Sequence, residues 1–257
     1  MKKIIFSQFN DKINQNHKST NDYKLNQFRT YSDKLRQSQQ LYADRCGAEY
    51  VLHETNTTDY VTLQFEKILK FEEYAKDFDQ VLYLDFDVVP NTRANNIFDV
   101  LGNTLAIYPL KREMTDHQLK WAIENDTFDN QNVYCKTCAK NSMLILNDCP
   151  TSNKLYNTGV TYGGSEAIKQ LRFGEQLDDM KNLLDEATND SLYPDAITKN
   201  FYYNNEVFIT YLIERDSLSC IDLNIQWNFI LDGYQPDPSD VAFFVHHVNK
   251  EFEKSFG

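Results

Sequence analysis

No apolar run in this chain approaches the ~20 residues that a membrane-spanning helix needs, and a mean hydropathy of −0.59 argues the same way. No signal sequence is expected from the first residues either. Met1-Lys2-Lys3-Ile4-Ile5-Phe6-Ser7-Gln8-Phe9 is basic and then apolar, but its apolar part is too short to serve as one, so it reads as the first strand of a domain. Repeats, low-complexity tracts and linkers are missing as well. Positive charge is in deficit: 38 acidic against 26 basic side chains give a net charge of −12. The field of the whole molecule therefore repels nucleic acid and anionic membrane alike, and an anionic substrate would need a local cation. The cysteines form an odd set of five, Cys46, Cys135, Cys138, Cys149 and Cys220. Without a signal sequence they predict reduced thiols and a cytoplasmic protein. Cys135-Lys136-Thr137-Cys138 has the spacing that opens a zinc site, but no second Cys-X-X-Cys or histidine pair follows at zinc-finger spacing.

What is there is enough for one globular α/β domain. The 257 residues, 41% hydrophobic and 14% aromatic, can bury an ample core. After the first strand, residues 10–22 are polar and loop-like. Leu25, Phe28, Tyr31, Leu35 and Tyr42 then recur at helical spacing up to Cys46-Gly47, where the glycine suits a helix stop. Ala48–His53 reads as a second strand, and Val61–Ala75 as a second helix with Val61, Phe65, Ile68 and Leu69 on one face. Val81–Leu84 reads as a third strand. Strand, helix, strand, helix, strand is the signature of a parallel sheet with crossover helices, in which ligands bind beyond the carboxyl ends of the strands. The second half is less regular. Asn141–Asn147 reads as a buried strand, and Asn157–Val160 precedes a turn at Gly163-Gly164-Ser165. Residues 165–187 are helical with a break at Gly174. A helix capped by Asn204-Asn205-Glu206 runs to Glu214, and a last strand spans Val241–His247.

The stretch Val81-Leu82-Tyr83-Leu84-Asp85-Phe86-Asp87-Val88-Val89-Pro90 carries the chemistry. It buries an apolar run and then presents two carboxylates one residue apart. Side chains alternate faces along a strand, so the two acids converge only if the strand stops there and the backbone turns, which Pro90 and Asn91 would encourage. Two hard oxygen ligands at the carboxyl end of a strand suit Mg2+ or Mn2+ carrying a diphosphate. Neutralising Asp87 is expected to leave the metal-free fold about as stable as before, because two close like charges repel. His246-His247 ends the last strand, and imidazole is a common third ligand where two carboxylates hold a divalent metal. Lys250 follows with the point charge that a diphosphate favours. Trp121, Tyr162 and Trp227 could stack on sugars or fill the core.

In order along the chain, Leu41–Tyr50, Lys67, Tyr83–Val89, Asn157-Thr158-Gly159-Val160 and His246 with Lys250 resemble the nucleotide-sugar-dependent glycosyltransferases of the GT-A fold. They are most similar to the glycogenin and lipopolysaccharide galactosyltransferase group and to the fungal galactosyl/mannosyltransferase group. The resemblance implies a mixed, mainly parallel sheet flanked by helices in one domain over residues 1–257. Residues 1–90 would form the nucleotide-binding half and residues 91–257 the acceptor and sugar half. It implies that Asp85 touches the donor ribose and the metal, that Asp87 is a direct ligand of Mn2+ or Mg2+, and that His246 is the third ligand, with His247 competing for the place. Lys250 would hold the donor diphosphate and Lys67 would face the same site. Ser7, Gln8 and Phe9 would meet the nucleotide base, although the Ala-Asp pair usual there is absent. The glycine usual before the lysine is replaced by Val248-Asn249.

Cleaving a sugar–phosphate bond develops negative charge on the departing diphosphate, and a metal with Lys250 would stabilise it. Asn205 and Glu206 fall where the resemblance places polar groups near the sugar, while by themselves they read equally as a helix cap and a first-turn acid. The expectation is a hexosyltransferase moving sugar from a nucleotide-diphosphate donor, UDP-linked by family frequency, to a glycan or other hydroxyl acceptor. Amides outnumber acids at Asn204-Asn205-Glu206, which favours retention of anomeric configuration. Two alternatives stay open. Asp-Phe-Asp-Val-Val also resembles the nucleophile loop of haloacid-dehalogenase-type phosphatases, although that loop opens its domain, whereas here two strands and two helices precede it. A nucleotide-sugar binding protein without catalysis is the other.

Overall fold

The computed structural model describes residues 1–10, 22–55, 59–110, 113–231 and 241–256. In chain order these form β1 (Lys3–Phe9), α1 (Asp22–Cys46), β2 (Glu49–Glu54), α2 (Tyr60–Tyr74), β3 (Gln80–Leu84), β4 (Val88–Pro90), α3 (Ile97–Leu101) and β5 (Leu105–Leu110). Then come α4 (Asp116–Glu124), α5 (Val133–Leu146), β6 (Leu155–Gly164), α6 (Ser165–Lys169), α7 (Phe173–Asn189), α8 (Asp195–Thr198) and α9 (Asn205–Arg215). The chain closes with β7 (Cys220–Asp222), a 3-10 turn (Ile225–Trp227), β8 (Phe229–Ile230), β9 (Phe244–His246) and α10 (Glu253–Phe256). Most of the polar stretch read as a loop after β1, residues 11–21, lies outside the described residues.

The chain divides into two compact units. The first comprises Met1–Tyr108, Thr158–Lys169 and Cys220–Gly257, and the second Pro109–Asn157 and Gln170–Ser219. The first unit is the α/β layer. Its six-stranded sheet has the order β2-β1-β3-β6-β5-β7. β1 pairs in parallel with both β2 and β3, β5 with β7 likewise, and β6 runs antiparallel to β3. A small second sheet, β4-β9-β8, lies in the same unit. The expected α/β class with a mainly parallel sheet is what forms. The carboxyl-terminal segment belongs with the amino-terminal one, so Lys250 meets Asp87 across 163 positions of sequence.

Local chemistry explains the early elements. α1 carries Asp22 in its first turn and Arg45 in its last, as the helix dipole favours. It ends at Gly47, whose φ of +62° is left-handed backbone, and the Ala48 N–H donates back to Ala43 O at 3.0 Å. α2 is capped by Asp59, which accepts from the Thr62 N–H at 2.9 Å. Its buried face is Gln64, Phe65, Lys67, Ile68 and Phe71. The main core of the first unit gathers Ile5, Tyr42, Leu82, Leu84, Val160, Tyr162, Trp227 and Phe244. Trp227 and Tyr162 are therefore core residues, while Trp121 in the second unit is 54% exposed.

Four readings of the sequence need correction. Asn141–Asn147 is no strand but the end of α5, whose start signal lies upstream: Asn132 accepts from the Tyr134 and Cys135 N–H groups. The four-residue apolar run Met143–Leu146 cannot by its own period separate strand from helix. Gly163 and Gly164 do not turn but continue β6 opposite Val81 and Gln80. A Cβ on Gly163 would meet Ile168 Cγ1 at 2.5 Å and one on Gly164 would meet Asn103 Cα at 2.6 Å, so these glycines permit close approach. The helical break falls at residues 170–172, with Arg172 at φ +45°, whereas Gly174 sits inside the first turn of α7. The last strand is shorter than expected, Phe244–His246.

Candidate metal centre

β3 ends at Leu84, hydrogen-bonded between β1 and β6 in the centre of the sheet. The Asp85 N–H still donates to Gly159 O at 2.8 Å, and the Val88 N–H then closes a turn onto Asp85 O at 2.9 Å. The chain re-enters strand structure as β4, antiparallel to β9 with Val88 opposite His246. The turn thus precedes Pro90, the last residue of β4. β-branched Val88 and Val89 resume extended structure at once, and it is the change of sheet that lets Asp85 and Asp87 face one space.

The register brings His246 to the same place. Its Nε2 lies 3.4 Å from Asp87 Oδ2 and 3.8 Å from Asp85 Oδ2. These three are the one group of potential ligands that converges among the described residues, with donor atoms within 4.8 Å of one another. His246 Nδ1 is 3.1 Å from Oδ1 of the fully buried Asn228. A carboxamide oxygen only accepts, so Nδ1 donates to Asn228 and Nε2 is the ring atom turned towards the acids. Asp85 is oriented in the same manner: its Oδ1 accepts from Lys67 Nζ at 3.1 Å and from the Tyr83 hydroxyl at 2.6 Å, leaving Oδ2 towards His246. Lys250 Nζ donates to Asp87 Oδ2. Two carboxylates and one imidazole are a donor set for a divalent cation, and the residues fit one.

The electrostatics revise one expectation. Burial pushes the Asp87 carboxyl up, but Lys250 and His246 outweigh it and hold the group well below the usual carboxylate range. The fold therefore favours Asp87 ionised even without metal, and neutralising it is expected to destabilise the protein, contrary to the reading from like-charge repulsion alone. Lys250 holds its place in left-handed backbone, φ +63°, a conformation that costs a non-glycine residue about 1 kcal/mol and gathers at functional sites. His247 turns to Ser255, with Nε2 2.8 Å from Oγ, and burial pushes its pKa down to about 4.

No family model matches the chain, and no curated protein does. Solved structures do resemble it. A glycosyltransferase involved in glycosylation of the major capsid of PBCV-1 is 15% identical, with 96% of this chain and 93% of that one covered at a TM-score of 0.49. Mouse xyloside xylosyltransferase 1 in its apo form is 12% identical, with 96% and 98% covered at 0.43. The galactosyltransferase LgtC in complex with donor and acceptor sugar analogues is 14% identical, with 95% and 86% covered at 0.40. Scores below 0.5 carry no weight for chemistry, which rests on the site itself.

The remaining candidates fall in three places. Ser7 is fully buried and its hydroxyl donates to Gln39. Gln8 Nε2 donates to Glu66 at 2.7 Å, and Phe9 packs on Phe28 and Phe86. Asn205 and Glu206 belong to the second unit, where Asn204 caps α9 by accepting from the Glu206 N–H at 2.8 Å. Glu206 is bonded through both oxygens, Oε2 to Lys136 Nζ at 2.7 Å and Oε1 to Asn157 Nδ2 at 2.8 Å. Cys135 and Cys138 are buried free thiols on one face of α5 and join no cluster of ligands among the described residues. Asn228 and Tyr83 are the site residues that the sequence did not offer. The alternation Tyr83–Asp85 on one strand face was a usable signal for Tyr83, and nothing local marked Asn228. No helix among the described residues is long and apolar enough to cross a membrane.

Proposed function

We propose that this protein is a metal-dependent glycosyltransferase that moves a sugar, a hexose by preference, from a nucleotide-diphosphate donor to a glycan or other hydroxyl acceptor with retention of configuration. The observation that carries the reading is the convergence of Asp85, Asp87 and His246 with two lysines at the carboxyl edge of a parallel sheet. Asp85, Asp87 and His246 would hold Mn2+ or Mg2+, which when bound supplies positive charge opposite a departing diphosphate. Lys250 and Lys67, each already against one of these acids, add point charges for the same anion. Tyr83 and Asn228 keep Asp85 and His246 in the orientation in which their free atoms converge.

The nucleoside is assigned to the end of β1, with Gln8 and Phe9 as contacts and Ser7 as support beneath them; UDP is the donor carrier favoured. Asn205 and Glu206 are assigned to the sugar and acceptor. Retention is supported by the state of Glu206, since a carboxylate whose two oxygens are taken by Lys136 and Asn157 is poorly placed to accept a proton from an acceptor hydroxyl.

A thermal-shift screen of nucleotide sugars with Mn2+, Mg2+ or EDTA tests the reading, because a ligand of the folded state raises Tm by mass action. Stabilisation by a nucleotide diphosphate that requires the metal is expected, and full transfer activity in EDTA would sink it. Release of phosphate from phosphomonoesters without any response to nucleotide sugars would point to the phosphatase chemistry instead. Proton NMR of the product from an α-linked donor decides the stereochemistry: an α-linked product is expected, and a β-linked one whose formation collapses in Glu206→Gln would show inversion.

A further inference from the structure

The buried stripe of α1 is Leu25, Leu35, Gln39, Tyr42, Ala43 and Cys46, and Gln39 is an amide where helical period calls for an apolar side chain. It has no exposed surface. Its amide is fully used. Nε2 donates to Asp85 O at 3.1 Å and to Val88 O at 2.8 Å. Oε1 accepts from the Ser7 hydroxyl and, at 2.9 Å, from the Tyr50 hydroxyl. The orientation of the amide is fixed by its partners, because two backbone carbonyls can only accept and must face the nitrogen.

These carbonyls bracket the turn that carries both acids. Asp85 O and Val88 O are the first and last carbonyls of the segment that leaves one sheet and enters the other, and the sole backbone bond within it is from the Val88 N–H to Asp85 O. Gln39 ties both ends of the turn to the middle of a 25-residue helix, and through Ser7 and Tyr50 to β1 and β2. Side-chain orientation at Asp85 and Asp87 depends on the backbone of this turn, so whatever fixes it fixes the distance between the two carboxylates.

We propose that Gln39 is a positioning residue for the metal centre: it sets the Asp85–Val88 turn so that the acids already converge before a cation arrives. The inference rests on the metal-binding reading of Asp85, Asp87 and His246. Outer groups that orient ligands change metal affinity about 10- to 100-fold when removed, and Gln39 does so from the backbone side.

The test is Mn2+ affinity measured by electron paramagnetic resonance on protein without donor, at a temperature where circular dichroism shows every variant folded. Gln39→Met keeps the volume and removes both donors, and should weaken Mn2+ binding about tenfold or more. Tyr42→Phe is the control. Tyr42 lies on the same buried face and its hydroxyl bonds Asn95 O at 2.7 Å and the Ile97 N–H at 3.0 Å, away from the turn. It should lower Tm comparably and leave Mn2+ affinity within twofold. Ser7→Ala removes one of the two bonds that hold the amide and should weaken Mn2+ in the same direction by a smaller factor, so the question remains answerable if Gln39→Met does not fold. Affinity within twofold of the parent in both Gln39→Met and Ser7→Ala, or an equal loss in Tyr42→Phe, overturns the inference. A parent protein that binds neither Mn2+ nor Mg2+ overturns the reading of the site beneath it, a result separable from failure of the variants alone.

Discussion

Each unit of the molecule buries an acid against a lysine, and the two acids are treated differently. In the first unit Asp87 shares its space with a second carboxylate and with Nε2 of His246, and Lys250 stands against the same oxygen that faces that nitrogen. The donor atoms of Asp85, Asp87 and His246 converge within 4.8 Å of one another. In the second unit Glu206 has one donor on each oxygen, Lys136 and Asn157. A buried carboxylate completed in this manner is a structural group or an orienting one. A cluster of acceptors around a common point is unfinished without a cation. Burial and charge alone would have scored the two alike, and it is the convergence of donor atoms from three residues on one point that separates them.

The largest effect expected from this difference is on metal binding. Asp87→Ala should reduce Mn2+ affinity by at least about a hundredfold, more than the 10- to 100-fold typical of outer groups, because a direct ligand is lost. It should also lower the Tm of the metal-free protein, since Lys250 loses the anion that the fold keeps ionised. Isothermal titration of Mn2+ and a thermal melt in EDTA measure the two. An unchanged melt would show that Asp87 is held less firmly than its contacts with Lys250 and His246 imply.

The interior of the second unit should prove closed to reagents. Burial pushes the Cys135 and Cys138 thiols up to about 12, so at pH 8 their thiolate fraction is on the order of 10⁻⁴, about a thousandfold below that of an ordinary thiol. Alkylation by iodoacetamide followed by mass spectrometry should label half-buried Cys149 and Cys220 and spare this pair, with reactivity of the pair climbing as pH is raised towards 12. Rapid labelling at pH 8 would mean that α5 opens readily. In α5 the Cys135–Cys138 pair lies on a buried face of the helix.

How much of this was legible beforehand depended on how far apart the decisive residues lie. Asp85 and Asp87 could be read as a site because the apolar lead-in and the acids are contiguous, and the strand–helix alternation up to Leu84 follows from periodicity that a single element carries within itself. Asn141–Asn147 misled because its helix is declared by Asn132, outside the window that looked like a strand. Gly163 and Gly164 looked like a turn because their reason, contact with Ile168 and Asn103, is tertiary. The tautomer of His246 is set by Asn228, eighteen positions away, and the geometry of the acids by Gln39, whose only local mark is a polar side chain in an apolar stripe. Sequence period reports which face is buried, not which polar atoms meet there.

Glu206→Gln probes the closed network directly. It leaves Lys136 buried beside a neutral amide, a change of about 3 kcal/mol, which for a chain of this size corresponds to a fall in Tm of roughly 5–10 °C. Mn2+ affinity should move less than twofold, since Glu206 is not one of the three candidate ligands. A large loss of metal affinity with this substitution would erase the distinction between the two acids.

The smallest effect expected is also the one that divides the work inside the first unit. Lys67 stands 3.1 Å from Asp85 Oδ1 and its ammonium lies 5.0 Å from the centre of the Tyr83 ring. Two roles are compatible with that position: aligning Asp85 for the metal, or supplying charge to the donor. Asp85 keeps its bond from the Tyr83 hydroxyl when Lys67 is replaced, so Lys67→Met should change Mn2+ affinity only a few-fold, while a lost point charge should weaken UDP binding in saturating Mn2+ about tenfold, or about 1.4 kcal/mol. Titrating UDP and Mn2+ separately on this variant and on Tyr83→Phe resolves the roles. If Lys67→Met loses metal and nucleotide in equal proportion, the lysine belongs to the scaffold of Asp85, and Lys250 alone remains as the cation offered to the diphosphate.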